Sequence, residues 1–143
     1  MKIDHKIISF IDKHHLLHLS TVDNNKPYNA NCFYSYNKNL NCFYISSDPK
    51  TQHGQNMLKN PNISASIALE TNIIGKIQGL QITGKAIFIE NDQQAKKSYL
   101  KKFPYALAMR LDLWKLDVNF YKLTDNNLGF GKKLIWRNNE SDY

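Results

Sequence analysis

A chain of 143 residues has room for one domain core, and 42% apolar with 12% aromatic content against 22% charged residues excludes a disordered chain. The net charge of +7, from 19 Lys and Arg against 12 Asp and Glu, favours anionic partners. The basic residues are dispersed, with only the pairs Lys96–Lys97, Lys101–Lys102 and Lys132–Lys133, so no dense nucleic-acid-binding arm is present and nucleic acid is not an expected partner.

In chain order, residues 3–14 place Ile3, Ile7, Ile8 and Ile11 at helical spacing with Asp4, Lys6, Asp12 and Lys13 between them, which predicts an amphipathic opening helix. Those acids also interrupt any apolar leader, and no run approaches about 18 apolar residues, so a cytoplasmic protein without a membrane span is expected. From His15 an apolar run through Leu16, Leu17, Leu19 and Val22 predicts a strand, ended by the turn formers Asp23 to Pro27. Residues 28–36 then alternate, with Tyr28, Ala30, Cys32, Tyr34 and Tyr36 on one face and Asn29, Asn31, Phe33 and Ser35 on the other. After Asn37-Lys38-Asn39, the run Leu40 to Ser47 completes a long hairpin. Cys32 and Cys42 have no paired spacing and are expected as buried free thiols.

A further strand is predicted over Ile63 to Leu69, followed by a polar turn from Glu70 to Gly75. Residues 77–89 are long enough for a bent strand, with Gly79 and Gly84 as bulge or close-approach positions. Residues 91–102 read as a helix capped by Asn91 or Asp92 with Ala95, Tyr99 and Phe103 on one side, until Pro104 interrupts it. Trp114 to Leu123 and Leu128 to Trp136 follow as strands around Thr124 to Asn127, and 138–143 is expected as a frayed tail. About six strands in short-loop succession, with helices inserted at three places, predict one α+β domain over residues 1–143, mainly β and built as an antiparallel barrel.

The segment Phe43 to His53 carries the chemistry. Asp48 suits a helix N-cap and Pro49 the first helical position, so free backbone N–H groups are expected beside Lys50, the Thr51 hydroxyl and His53. Those are the parts of a phosphate cradle, although Asp48 would repel a phosphate if it faced the site. Cys32 and Phe33 equally suit a core, and Trp114 and Trp136 suit packing, with Trp136 as an interface candidate. His14, His15 and His18 lack acidic or cysteine partners at ligand spacing, so no metal site is expected.

Asn29-Ala30-Asn31-Cys32-Phe33-Tyr34, the Phe43–His53 segment, Asn60-Pro61 and Gly129-Phe130-Gly131-Lys132-Lys133 occur in an order, closed by Thr124-Asp125-Asn126 to Trp136, that resembles the pyridoxamine-phosphate-oxidase-like FMN-binding split barrels. The likeness runs over nearly the whole chain and is nearest to a small bacterial branch. It implies a six-stranded antiparallel split β-barrel with flanking helices, and a homodimer with two FMN sites at the subunit interface. Asn31, Cys32 and Phe33 match the strand whose backbone lies along the isoalloxazine ring, and Ser46 and Ser47 match the neighbouring strand end. Lys50 and Thr51 match the phosphate-binding turn, with one cation fewer than the Arg-Lys pair of fuller members.

Gln81 falls where members contact the ring edge, and Gly129 to Lys132, including Phe130, fall where the second subunit closes the pocket. The arginine-rich substrate clamp of true pyridoxamine phosphate oxidases is not matched, because the only arginines are Arg110 and Arg137. The resemblance therefore implies an FMN-dependent oxidoreductase for another small substrate, with NADH or NADPH as a possible reductant. The alternative is a non-catalytic module that holds flavin, haem or another planar ligand.

Overall fold

The computed structural model describes residues 2–143 and begins with a helix set by its cap. The Asp4 carboxylate accepts from the Lys6 amide at 2.8 Å, and α1 runs His5–Lys13 with Ile7, Phe10 and Ile11 buried. Strands β1 (Leu16–Asp23) and β2 (Lys26–Asn37) follow. Their connection is tighter than the expected Asp23–Pro27 loop. Asn24 and Asn25, both at positive φ (50° and 61°), form a two-residue turn whose twist matches the strands.

Strand β3 (Cys42–Ser46), helix α2 (Gln52–Lys59), β4 (Asn62–Ala68) and β5 (Gln78–Phe88) come next, then α3 (Gln93–Lys102), capped by Asp92. A short 3-10 turn over Pro104–Ala108 leads to β6 (Leu113–Asp125) and β7 (Lys133–Arg137).

All pairings are antiparallel, in the order β3-β2-β1-β4-β5-β6-β7, and β3 also pairs with β6. Six strands therefore close a ring and a seventh hangs from it: all seven strand segments read from the sequence form, one more than the six-stranded barrel that was expected. The cause is the length of β6: Leu113–Asp117 pairs with β3, while Phe120–Thr124 pairs with β7. Strand β7 starts at Lys133 instead of Leu128 because Asn126–Leu128 forms a 3-10 turn, with Gly129 and Gly131 at positive φ behind it. Beyond β7 the chain folds back, so that the Tyr143 ring meets Phe120 and Arg137 donates to the Tyr143 carbonyl.

Of the two glycines expected to bend β5, Gly84 does so. Thr83 pairs with Phe120 and Gly84 with Val118, leaving Asn119 as the extra residue of a bulge. Gly79 stays in regular register with Ala68 and Thr124.

Inside the ring, Leu17, Leu19, Tyr34, Ile45, Ile67 and Trp114 are fully buried, and α1 closes one end of this core. Burial of each such side chain stabilises the fold by about 1.5–3 kcal/mol before entropy is counted. Buried hydroxyls are all satisfied: Tyr34 donates to the Ile11 carbonyl at 2.7 Å, and Tyr36 and Tyr121 both donate to Asn41 Oδ1. A second apolar cluster of Cys42, Tyr44, Ala95, Tyr99, Ala106 and Leu113 seats α3 on the outside of the barrel. Both cysteines are buried free thiols and both tryptophans are packed, as expected. Among the described residues no helix is long and apolar enough to cross a membrane.

Candidate functional site

The junction between β3 and α2 differs from its sequence reading in one respect. Thr51, not Asp48, is the N-cap: its hydroxyl oxygen accepts from the Gly54 amide at 3.1 Å and donates to the Asp48 carbonyl at 2.8 Å. Asp48-Pro49-Lys50-Thr51 is instead a β-turn closed by the Thr51 amide on the Asp48 carbonyl (3.0 Å), with Pro49 at the position that fixes φ. The Asp48 carboxylate accepts from the Lys50 amide at 2.8 Å, an Asx bond that engages it within the turn. The threonine wins the cap because its oxygen stands three residues before the Gly54 amide.

Gly54 makes this arrangement possible. A Cβ there would lie 2.7 Å from the Asp48 carbonyl oxygen and 2.9 Å from Pro49 Cα, so only glycine lets the turn fold onto the helix start. The Lys50 side chain is exposed and in no ion pair among the described residues. The Gln52 and His53 amides occupy the first helical positions, which have no intrahelical acceptor.

Behind the turn, Ser47 Oγ lies 2.7 Å from His53 Nε2, a hydrogen bond whose direction follows the imidazole tautomer, and Thr51 Oγ1 lies 3.4 Å from the same nitrogen. Ser47 also bonds the Cys32 thiol, so β2, the end of β3 and the start of α2 are tied by one polar chain. Burial pushes that thiol up to about 11, and the Ser47 bond only partly offsets it, so Cys32 is a packing residue and not a nucleophile at neutral pH. Asp112 completes the frame: its carbonyl accepts from the Ser47 amide at 2.9 Å and its amide donates to Ser46 Oγ at 3.3 Å. Trp114 Nε1 donates to the Ser47 carbonyl at 2.8 Å.

Burial holds the His53 imidazole below its ordinary value of 6.5. The unfolded chain therefore binds more protons than the folded one just below that value, and stability present above pH 6.5 is lost as pH falls towards the folded pKa. Urea midpoints are expected to drop between pH 7.5 and 5.5, with a smaller drop in His53→Gln. An identical drop in the variant removes His53 as the cause.

Asn31 and Gln81 share the outer face of the sheet. They lie in one register row, Asn31 opposite His18, His18 opposite Ser66 and Ser66 opposite Gln81, three strands apart and so about 14 Å. His18 Nδ1 bonds Asn31 Oδ1 at 2.6 Å. Phe33, which equally suited a core, is 57% exposed on this face, opposite Leu16 and 5.4 Å from the Phe103 ring. The fold thus joins Cys32, Ser46, Ser47, Lys50, Thr51 and His53 at one end and presents Asn31, Phe33 and Gln81 on the neighbouring open face. Phe130, 85% exposed, and Lys132 sit apart on the β6–β7 connection, beside the Ile74–Lys76 turn.

Sequence reading missed Gly54, Asp112 and Trp114 Nε1. Gly54 had one local signal, a glycine in the first turn of a helix; the other two act over more than 60 residues of chain. Among the described residues no group of three His, Cys, Asp or Glu side chains converges on a metal position.

Comparison with known proteins fits this geometry. A UPF0306 protein of Photorhabdus laumondii is 35% identical over 130 residues, 90% of this chain and 91% of the relative. Among solved structures, a heme binding protein from Mycobacterium smegmatis superposes with a TM-score of 0.78 at 16% identity, over 96% of this chain and 59% of that one. A FAD-binding protein from Mesorhizobium loti superposes with a TM-score of 0.67 at 14% identity, over 83% and 90%. At such identities these two likenesses show a shared fold. The family model described as pyridoxamine 5′-phosphate oxidase matches residues 3–116. With a ring of antiparallel strands, a polar turn at the end of β3 and a matched span covering most of the domain, the chain belongs to the pyridoxamine 5′-phosphate oxidase family, alongside its UPF0306 relatives.

Proposed function

We propose that this protein is a cytoplasmic homodimeric flavoprotein that binds FMN and acts as an oxidoreductase on a small substrate other than pyridoxamine phosphate. One observation carries the reading: Lys50 and the helix-start amides of Gln52 and His53 are tied through Ser47 to Cys32, whose chain neighbours Asn31 and Phe33 lie on an open sheet face that also bears Gln81. A phosphate suits the first group, because helix-start amides and a lysine supply donors and positive potential. A flat ring suits the second, because the face offers strand backbone, an exposed aromatic ring and a carboxamide.

The Asp48 carboxylate is held within the turn by the Lys50 amide but keeps its charge, so it lowers the positive potential that Lys50 and the helix start supply. Phe130 and Lys132 are too exposed to serve their own chain as a lid, and in this reading they close the pocket of the second subunit. Ser47 and Cys32 hold the strand ends that floor the slot. The flavin supplies hydride and electron transfer when bound, and the chain's own residues orient it and set its electrostatic surroundings. The folds shared with a heme binding and a FAD-binding protein support a planar, anionic ligand.

Native mass spectrometry of freshly purified protein is expected to give a dimer with two FMN. Lys50→Ala is expected to weaken FMN uptake by tenfold or more, since a charged hydrogen bond contributes about 1.5–3 kcal/mol. Reduction by NADH or NADPH followed by rapid reoxidation identifies an enzyme; a bound flavin or haem without turnover identifies a holding module. A monomer with no affinity for either ligand overturns the reading.

A further inference from the structure

The strongest unassigned feature is a groove of about 630 Å³ between α1 and α3, away from the Lys50 turn. Its lysines are Lys97, Lys101 and Lys102, its single carboxylate is Asp12, and its floor holds Ser35 and Ser98. We infer that this groove is a second anion site, built for a small ligand carrying two or more linked phosphate groups.

Helix α3, Gln93–Lys102, carries four lysines and no acid, and Gln94, Lys97, Ser98 and Lys101 follow the i, i+3, i+4, i+7 pattern of one helical face. That face lines the groove at its open, solvent-exposed side. Lys97 and Lys101 stand one turn apart, a like-charge pairing that disfavours the helix. Among the described residues no carboxylate is within ion-pair distance of Lys97, Lys101 or Lys102. The charge at the C-terminal turn is helped by the helix dipole, but Lys97 lies mid-helix and has no such relief. The groove thus carries three lysines against one carboxylate, a net positive lining.

The rest of the groove is fixed in place. Ser35 is 3% exposed, and its hydroxyl oxygen lies 3.0 Å from that of Ser98. Lys102 Nζ donates to the His14 carbonyl at 2.8 Å and lies 4.2 Å from the centre of the Tyr34 ring, so one cation is positioned before any ligand arrives. Ammonium groups bind phosphate as compact point charges, and neither arginine, whose fork grips carboxylate and phosphate alike, lines the groove. Three cations against one carboxylate call for more than a single negative charge. The volume is that of a small-molecule site.

The test is a titration of the isotope-labelled full chain with inorganic pyrophosphate at constant ionic strength, read from amide shifts. Saturable shifts are expected at Ser35, Ser98 and Lys97 to Lys102, weakened at least tenfold in the double variant Lys97→Gln, Lys101→Gln and unchanged in Lys85→Gln, an exposed lysine elsewhere. Both replaced lysines are exposed, and an unchanged amide spectrum of the free variant confirms its fold. The inference fails if no saturable binding occurs, or if the double variant binds as well as the parent. It also fails if affinity drops in Lys50→Gln instead, which moves binding to the turn and leaves the flavin reading intact. Tighter saturation of the same amides by a single-stranded RNA oligonucleotide likewise overturns it, in favour of nucleic acid.

Discussion

Gly84→Ala is expected to lower folding stability by about 3 kcal/mol or more, near the upper end for overpacked positions. A Cβ at Gly84 would overlap the Asp117 carbonyl oxygen and sit 3.2 Å from Val118 Cα. Both are backbone atoms of the neighbouring strand, held by the β5–β6 ladder, so no side-chain rotation relieves the clash. The site is also the bulge where Thr83 and Gly84 step past Asn119, and the bend there directs β6 so that Leu113–Asp117 reaches β3. Widening it loosens the ring closure itself. For a domain of this length the loss corresponds to a fall in Tm of roughly 10 °C. Gly75→Ala is the control: nothing lies within 4 Å of its Cβ position, and it is expected to be neutral or slightly stabilising. Equal melting temperatures for the two variants would show that β6 yields easily and that the bulge does not hold the ring.

The second large effect is expected at Gly54. Alanine there meets the Asp48 and Pro49 backbone at under 3 Å, so the turn must lift away from the start of α2. The Thr51 cap on the Gly54 amide and the bond between Ser47 and His53 are then stretched together. Loss of a cap contributes about 1 kcal/mol and overpacking about 1–3 kcal/mol, so a Tm drop of roughly 7–13 °C is expected. Flavin uptake should weaken more than that stability loss implies, because Lys50 and the amides of Gln52 and His53 leave their common geometry. Isothermal titration with FMN, well below the variant's Tm, separates the two effects. Full affinity in a folded Gly54→Ala variant would remove the turn from the binding site.

Much of this was legible because it is local. Alternation from Tyr28 to Tyr36 puts Cys32 and Tyr34 on one face and Asn31 and Phe33 on the other, and burial follows it from Asn31 to Tyr34, whereas Tyr28 is exposed and Ser35 is buried against Ser98 of α3. The helix over residues 91–102 was readable from Asp92, whose side chain accepts from Ala95, and from Pro104. At the site, Lys50, Thr51 and His53 stood out as a cluster because they share one turn. The cap was misassigned to Asp48 because Asp48 and Thr51 are both good capping residues, and only the packing of Gly54 against the turn decides between them. Phe33 resisted assignment for another reason: an aromatic residue on an alternating strand has a defined face, but whether that face is covered depends on elements far away in the chain.

The sequence by itself determined the periodicities, the turn positions and the cation-bearing junction between β3 and α2, since each is encoded within a few residues. Tertiary structure alone decided that β3 closes onto β6, that β7 stands outside the ring, that Asp112 and Trp114 brace Ser47, and that Lys97, Lys101 and Lys102 of α3 line a groove with Asp12 of α1. Side-chain direction is set by local backbone geometry, whereas the choice of partner is a competition among all apolar faces for burial, and that competition is settled only when the whole chain has packed.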